Sequence, residues 1–354
     1  CLPQIVPKLC EAFTDPHPKV KEAAKTSLQD IGSVVRNPEV SRLSGVLLAA
    51  LSDPAKGTKP ALEALLETEF MHSIDAPSLA ILAPILQRGL KDRGADVKRK
   101  AAVITGNMTS MISDPKMLVP YLDDLIPGLK LVLVDPIPDV RARAAKALGS
   151  LTTGLGDGNG EGEFGTLVPW LIDTLKAETS SVERSGGAQG LAEVLIALGV
   201  ERVSTVLGEL LPLKSHPKYN VREGVIWLLC FLPPALGDDF AGHIPETLPV
   251  ILTGLSDEAE SVRDVAMRAG QVLVSAHGRN HPMLLLPTLE QGLFDDDWRI
   301  RQSSVQLLGD LLYLISGTKA LGLADDDQDQ EDDISNSSSK AAIAIREHIG
   351  ADRT

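Results

Sequence analysis

A short pattern recurs along the 354-residue chain and limits the folds open to it. An aspartate is followed five residues later by Val or Ile, then by a lysine or arginine, and then by small residues. The clear copies start at Asp15, Asp92, Asp135, Asp257 and Asp295 and end in Lys21, Lys98, Arg141, Arg263 and Arg301. Weaker copies surround Asp53, Val182 and Arg222. The Val or Ile positions 97, 140, 182, 221, 262 and 300 lie 43, 42, 39, 41 and 38 residues apart, so one structural unit is repeated.

The period and the composition together predict helices. The chain is 44% apolar but only 3% aromatic, and Leu, Ala and Val supply most of the apolar residues, which suits helices that pack closely. Periods of roughly 40 to 47 residues are typical of HEAT and armadillo arrays, in which each unit is a pair of helices. The sequence therefore predicts an all-α fold, a HEAT-repeat superhelical solenoid of about eight helix pairs, over residues 1–320.

Each position of the pattern has an expected role. The aspartate is expected to cap the second helix by accepting backbone N–H bonds. The Val or Ile, Val20 in the first copy, is expected to begin a buried stripe that a small residue continues four positions later. Glycines further along, such as Gly149 and Gly309, are expected to let neighbouring helices cross closely. Prolines such as Pro84 and Pro249 are expected within or near the start of each first helix.

Two segments interrupt the repeat. Residues 154–165, GLGDGNGEGEFG, are too rich in glycine for a helix interior and are predicted to form a loop between two helices. Residues 321–338, which contain DDDQDQEDD, are predicted to be an acidic, disordered linker, with 339–354 starting a following helix or repeat. The chain begins at Cys1 rather than Met and is expected to be part of a longer polypeptide.

Charge and cysteine content exclude several classes of protein. The chain has 34 Lys and Arg against 48 Asp and Glu, a formal charge of −14, which excludes a generally basic nucleic-acid coat. Its three cysteines suggest neither a disulfide framework nor a cysteine metal site. The longest apolar run, residues 225–236, is too short to cross a bilayer and contains Pro233 and Pro234. A soluble protein in a reducing compartment is expected.

No motif in the chain predicts catalysis or a cofactor. The patterns G-x-x-x-x-G-K-[ST], H-E-x-x-H and G-x-S-x-G do not occur. The glycine segment 154–165 lacks the preceding strand and the lysine of a phosphate loop. His277 and His281 have the spacing of two metal ligands, but Gly278 and Pro282 favour a loop, and no third ligand is near in sequence. The sequence therefore predicts no catalytic, cofactor or metal site.

Positive charge is concentrated in one part of the chain. Residues 86–150 contain 11 Lys and Arg against seven Asp, or +4. In a solenoid the second helices of successive units line one face, so a basic stripe there is a candidate to contact a partner or RNA phosphates. The candidate residues are Lys98, Arg99, Lys100, Arg143 and Lys146.

The basic residue of each repeat has a more ordinary interpretation. It is expected to pair with the turn aspartate of an adjacent unit, and these pairs form an internal ladder. The expected members, besides Lys98, are Asp15, Asp92, Asp135, Asp257, Asp295, Lys21, Arg141, Arg222, Arg263 and Arg301. Under this interpretation they hold the array together and contact no partner.

Four stretches carry a more specific resemblance than the period. They are ALEALLETEFMHSIDAPSLA (61–80), VKRKAAVITGNM (97–108), VDPIPDVRARAAKALGSL (134–151) and RIRQSSVQLLGDLLYLISG (299–317). They resemble the translational activator of the general amino-acid control kinase, in the region of that family that is itself similar to the HEAT domain of elongation factor three. The resemblance runs over about residues 58–318 and departs from the family at 154–165 and 325–333.

The resemblance implies a role without catalysis. A protein of this family is cytoplasmic, associates with ribosomes and works with an ATP-binding-cassette partner that docks on this region. It promotes activation of the kinase that phosphorylates initiation factor two in amino-acid starvation. The kinase contact of the family lies in a more C-terminal region, outside this chain. Elongation factor three carries its ATPase cassettes outside its HEAT domain.

Two other interpretations remain open from the residues. A generic HEAT adaptor, such as a transport receptor or a phosphatase scaffold, would bind a peptide or protein in its concave face. An ATPase like elongation factor three would bind nucleotide. Retention of a transport GTPase or a phosphatase subunit would favour the adaptor, and nucleotide binding would favour the enzyme.

Overall fold

The computed structural model describes residues 2–155 and 165–316, and within these ranges the secondary structure is helical with no strand. The first helices of the pairs are α1 (Leu2–Ala12), α3 (Pro38–Ser52), α5 (Ala76–Leu90), α7 (Val119–Leu133), α9 (Leu167–Leu175), α11 (Val200–Leu210), α13 (Ile244–Leu255) and α15 (Pro282–Gly292). The second helices are α2 (Pro18–Ser33), α4 (Pro54–Glu67), α6 (Ala95–Ser110), α8 (Pro138–Leu155), α10 (Ser181–Leu198), α12 (Tyr219–Leu236), α14 (Glu260–His277) and α16 (Trp298–Ser316). The predicted all-α array of eight helix pairs is confirmed.

The described chain divides into two compact units. The first holds the described residues up to Ile172 together with Gln189–Leu198, and the second holds Asp173–Ala188 and the described residues from Gly199 onward. In the first unit α6 packs against the second helices on both sides, α4 and α8, and α5 packs against α3 and α7. In the second unit α14 packs in the same way between α12 and α16. In each compact unit, second helices therefore pack against the second helices of neighbouring pairs.

Small aliphatic residues fill the space between the helices. The i, i+4 pairs predicted from the pattern are buried in three copies, with Val140, Val262 and the alanines that follow them at most 2% exposed. Val20 does not follow this rule, since it is 39% exposed, and the prediction that it begins a buried stripe is wrong. The reason is that α2 packs mainly against α1 and α3 and lacks the close second-helix neighbours that α6 has.

Glycine permits a close helix crossing at some repeats and not at others. A Cβ on Gly149 would lie 3.0 Å from the backbone oxygen of Glu193, so a side chain there would push the two helices slightly apart. At Gly309, in the last described helix, a Cβ would meet nothing within 4 Å among the described residues, so none of them makes the close approach predicted there. The expected prolines are confirmed, since Pro84 and Pro249 lie inside α5 and α13.

Two sequence predictions fall largely outside the described residues. Gly154 belongs to the last turn of α8, rather than to a loop, while residues 156–164 of the glycine segment lie outside the described ranges. The acidic segment 321–338 and the helix expected over 339–354 also lie outside them. For these two segments the sequence expectations stay predictions.

One apolar stretch, Tyr219–Leu255, has the length and mean hydropathy, 1.3, of a membrane span. The structure divides it into α12, a short 3-10 segment (Gly237–His243) and α13. Leu228, Leu229 and Leu248 within it are fully buried against neighbouring helices. The stretch therefore has the features of two core helices of a helix array.

The two spaced histidines are placed differently from the sequence prediction. His277 is the last residue of α14 rather than part of a loop, and His281 is the N-cap residue of α15. His277 is 1% exposed, and burial lowers the pKa of its imidazole. The turn between them is three residues long, and a Cβ on its first residue, Gly278, would lie 2.8 Å from the side chains of Leu311 and Leu314.

Candidate partner-binding face on the second helices

The turn aspartate of the repeat closes its turn. The carboxylates of Asp15, Asp92, Asp135, Asp257 and Asp295 each accept the backbone N–H two residues later, at 2.7 to 3.0 Å. The second helix begins three residues after each aspartate, so the residue that receives the N-cap position is a later one, such as Gly94 in α6. The predicted N-cap role is therefore wrong. The geometry is that of an Asx turn, which a short carboxylate side chain forms readily with its own backbone.

The arginine of the repeat bonds to the same turn from the other side. Its Nη1 donates to the backbone carbonyls six and five residues earlier, at 2.7 to 3.2 Å. The arginines are Arg141, Arg222, Arg263 and Arg301. A turn between two helices leaves carbonyls without helical partners, and these bonds satisfy them. Most hydrogen bonds of the repeat arginines therefore stay within the turn of their own helix pair.

Two ion pairs of the predicted ladder connect successive helix pairs of the array. Lys98 pairs with Asp135, and Arg222 pairs with Asp257 through both carboxylate oxygens, at 2.6 and 2.7 Å. The aspartates are only 3% and 9% exposed. Burial alone would raise the pKa of Asp257, but the hydrogen bonds from Arg222 and a backbone N–H outweigh it and hold the pKa below its usual value. Two steps of the expected ladder are thus present as ion pairs between neighbouring helix pairs.

The other expected steps are incomplete in the part of the chain that the structure describes. Lys21 and Arg263 form no ion pair there, and Lys21 is exposed. Arg263 bonds only to the carbonyls of its own turn, 2.7 Å from that of Asp257. Asp15, Asp92 and Asp295 likewise serve their own turns. The ladder prediction therefore overestimated how many aspartates are shared between units.

An ion pair between two neighbouring second helices was not predicted. Arg184 of α10 donates to Glu223 of α12 at 2.9 Å, with the two side chains 4% and 0% exposed. Ser181 and the indole N–H of Trp227 also donate to Glu223. Burial would raise the pKa of Glu223, and the hydrogen bonds from Arg184 and then Ser181, with the charge of Arg184, lower it below its usual value. The turn before α12 has His216 where other repeats have aspartate, so Arg184 meets a glutamate on the helix instead. The missing turn carboxylate was the available sequence signal.

The candidate basic residues lie together on α6 and α8 of the first unit. Lys100 is 16% exposed and pairs with Glu63 and Asp96, each at 2.8 Å. Arg99 pairs with Asp96 at 2.7 Å and lies 3.9 Å from Asp139 of the neighbouring helix α8. Hydrogen bonds from Lys100, then from Arg99, lower the pKa of Asp96 to about 2. Two of the cations are thereby tied to one carboxylate.

The remaining candidates continue this surface on α8. Arg143 is 47% exposed and lies 3.3 Å from Asp139, one turn earlier. Lys146 is exposed, and its charge lowers the pKa of Glu193, which burial raises more strongly. Lys98, by contrast, is committed to the buried Asp135. The structure brings the five candidates onto two adjacent helices, but four of them already have carboxylate partners.

We call Arg99, Arg143 and Lys146 the open cation set, because their side chains are the accessible part of this surface. Arg99 and Arg143 are 44% and 47% exposed and form surface pairs, which contribute roughly 0 to 1 kcal/mol each. An approaching phosphate can replace so weak a partner. The chemistry available to the open cation set is therefore screened, salt-dependent binding of anions on a surface of mixed charge.

Comparison with protein families places the fold in a class. Residues 56–162 match the model described as elongation factor 3/GNC1 HEAT repeat, residues 143–293 match stalled ribosome sensor GCN1-like HEAT repeats, and 285–315 match a single HEAT repeat. A crystal structure of a mutant of Kap121p aligns with 99% of this chain and 43% of its own, with a TM-score of 0.52 at 15% identity, which shows a shared fold. The chain is thus a HEAT-repeat protein.

Two relatives define the family. The stalled ribosome sensor GCN1 of Mus musculus is 48% identical over 100% of this chain and 13% of its own length. The eIF-2-alpha kinase activator GCN1 of Saccharomyces cerevisiae is 45% identical over 89% of this chain and 12% of its own length. The chain is similar over nearly its whole length to one segment of the GCN1 proteins, and it spans about an eighth of the length of the relatives it matches.

Proposed function

We propose that this chain is a scaffold segment of a ribosome-associated translational activator, which promotes activation of the kinase that phosphorylates initiation factor two. The observation that carries the proposal is the identity of 45% to 48%, over nearly the whole chain, to relatives named as a stalled ribosome sensor and as an eIF-2-alpha kinase activator. The stacked helix pairs suit such a role, since a repeat array offers long surfaces for several partners. The protein acts in the cytoplasm.

The finer proposal concerns partners. The segment contacts the ribosome and offers a docking surface to an ATP-binding-cassette protein, while the kinase is bound by a region outside this chain. The partial match to elongation factor 3, whose HEAT model covers residues 56–162, supports the ribosomal part. The same residues include α6 and carry the cations Arg99 and Arg143.

Ribosomal contact through the open cation set is an electrostatic proposal. Arg99, Arg143 and Lys146 would exchange their surface carboxylates for rRNA phosphates, and release of counterions from the RNA would drive the exchange. Lys98 and Lys100 are poor candidates, because their side chains are 20% and 16% exposed and they hold neighbouring helices together. Binding is then weakened by salt roughly in proportion to the number of phosphates contacted.

Co-sedimentation of the chain with ribosomes over a salt series tests this proposal. The variant Arg99→Glu, Arg143→Glu, Lys146→Glu is expected to bind more weakly and with a shallower salt dependence. A matched control reverses three exposed cations on or beside first helices, at Arg42, Lys116 and Arg202. Equal loss in both triple variants would indicate an effect of net charge only and contradict the role of the open cation set.

A separate measurement tests the scaffold role itself. Removal of this segment from the full-length protein is expected to lower ribosome association and kinase activation in amino-acid starvation, whichever surface makes the contact. Unchanged association would contradict it. The generic adaptor has no support of its own, since the likeness to Kap121p at 15% identity shows the fold alone.

A further inference from the structure

A cluster of potential metal ligands lies on the second unit, away from the open cation set. One ligand atom each of Asp238, His277 and His281 lies within 4.8 Å of the other two. Asp238 comes from the 3-10 segment Gly237–His243 between α12 and α13, and the histidines flank the turn between α14 and α15. Two successive inter-repeat connections therefore meet at this point.

The environment of His277 needs an explanation. Its side chain is 1% exposed, and neither ring nitrogen has a hydrogen-bond partner among the described residues. The Pro233 carbonyl lies near the ring and favours its protonation, but neither ring nitrogen meets the geometry of a hydrogen bond to it. The ring packs at 5.7 Å from Phe240 and 6.0 Å from the ring of His281. An unbonded buried polar group is unfavourable, so a ligand for it is expected.

The distances suit a small tetrahedral cation. Nε2 of His281 lies 3.2 Å from Oδ1 of Asp238. Two ligands on a tetrahedral zinc with bonds of about 2.0 to 2.2 Å lie about 3.3 Å apart. Asp238 and His281 are thus already at ligand spacing, and a ligand atom of the buried His277 lies within 4.8 Å of both, so binding requires the two more exposed side chains to close this distance. Asp238 and His281 are 73% and 30% exposed, which leaves an entry path from solvent.

We propose that Asp238, His277 and His281 bind one zinc ion, which ties the connection between α12 and α13 to the connection between α14 and α15. Two imidazoles and a carboxylate are a donor set that zinc accepts, with water in the fourth position. Asn280 donates to Asp238 at 3.3 Å and helps to orient this carboxylate. The site is independent of the proposed ribosome contact.

Calorimetric titration of the chelator-treated 354-residue chain with Zn²⁺ tests the site. One zinc ion per chain is expected to bind, to raise the melting temperature and to be replaced by Co²⁺ with the absorption bands of tetrahedral cobalt. Asp238→Asn and His281→Ala are each expected to weaken binding by at least about 100-fold, since loss of an outer partner alone weakens metal sites by about 10- to 100-fold. Both residues are exposed enough for these variants to fold.

His17→Ala is the matched control, because His17 is an exposed helix-cap histidine distant in sequence from the cluster. It is expected to keep the affinity of the unaltered chain. His277→Phe, which keeps the contact with Phe240, is expected to lose the site as well. Zinc binding that Asp238→Asn and His281→Ala both retain overturns the proposal, and so does the absence of zinc binding by the unaltered chain.

Discussion

The buried pair of Arg184 and Glu223 offers the sharpest test of how successive second helices are held together. Glu223 is fully buried, and its carboxylate accepts from Arg184 at 2.9 Å and from the indole of Trp227 at 3.1 Å, besides Ser181. In Glu223→Ala, Arg184 keeps its bond to the Ala177 carbonyl at 2.9 Å and its position 5.8 Å from the centre of the Tyr219 ring, but it loses its carboxylate partner. Removing one partner of a buried ion pair destabilises by about 3 to 5 kcal/mol.

The bonds that are lost lead to a similar magnitude. A hydrogen bond to a charged group contributes about 1.5 to 3 kcal/mol to the free energy of unfolding, and a hydrogen bond between neutral groups contributes about 1 kcal/mol. Urea unfolding followed by circular dichroism and by tryptophan fluorescence measures the loss, and Trp227 reports on the site itself. Glu201→Ala, at an exposed position of α11, is the control and is expected to change stability by no more than about 0.5 kcal/mol.

A second variant separates the unpaired charge from the lost volume. Arg184→Met with Glu223→Leu removes both charges and keeps apolar bulk, and it is expected to regain most of the stability that Glu223→Ala loses. If the double variant is as unstable as Glu223→Ala, packing rather than charge explains the loss. If Glu223→Ala unfolds within about 1 kcal/mol of the unaltered chain, the reasoning from buried pairs fails here.

Three further predictions follow from single positions. Gly224→Ala would place a Cβ 1.9 Å from a backbone oxygen and is expected to lose about 3 kcal/mol of unfolding free energy, whereas Gly208→Ala, with open space around it, is expected to gain about 0.5 to 1 kcal/mol; equal effects in urea unfolding would contradict this. Arg222→Lys loses the two-oxygen contact with Asp257 and is expected to lose about 1.5 to 3 kcal/mol and to raise the pKa of Asp257, measured by carboxyl NMR; an unchanged pKa would refute the pairing. The pKa of Asp96 is about 2, below the unfolded value of about 3.9, so its contribution to stability is present above pH of about 4 and is lost as the pH falls toward 2; NMR titration at an ordinary pKa would contradict this.

Local and periodic features of the fold were predictable from the sequence. The spacing of Val97, Val140 and Val262 predicted the helix pairs, because a buried stripe must recur with every unit that stacks. Charge at a fixed repeat position predicted the pairs of Lys98 with Asp135 and of Arg222 with Asp257. These features depend on residues that recur at the same position of each repeat.

Departures from the repeat were predicted less well. The aspartates were assigned to helix capping, and the difference between capping and an Asx turn is two residues of backbone that sequence pattern does not resolve. The sequence predicted which residues form the basic stripe but not their partners. Asp96 pairs with Arg99 and Lys100, and Asp139 pairs with Arg143, so most of the positive charge is offset. Whether a cation is open or paired depends on side-chain reach across adjacent helices.

The sequence alone determined the all-α fold and its period of roughly forty residues, because these follow from local preference and from residues recurring at fixed distances. Only the tertiary structure decided which groups 39 or more residues apart come together, as Arg184 does with Glu223 and Asp238 with His281. The physical reason is that such contacts are made between units. They depend on the packing of neighbouring helices, which brings specific atoms within about 3 Å, and no single repeat encodes that distance.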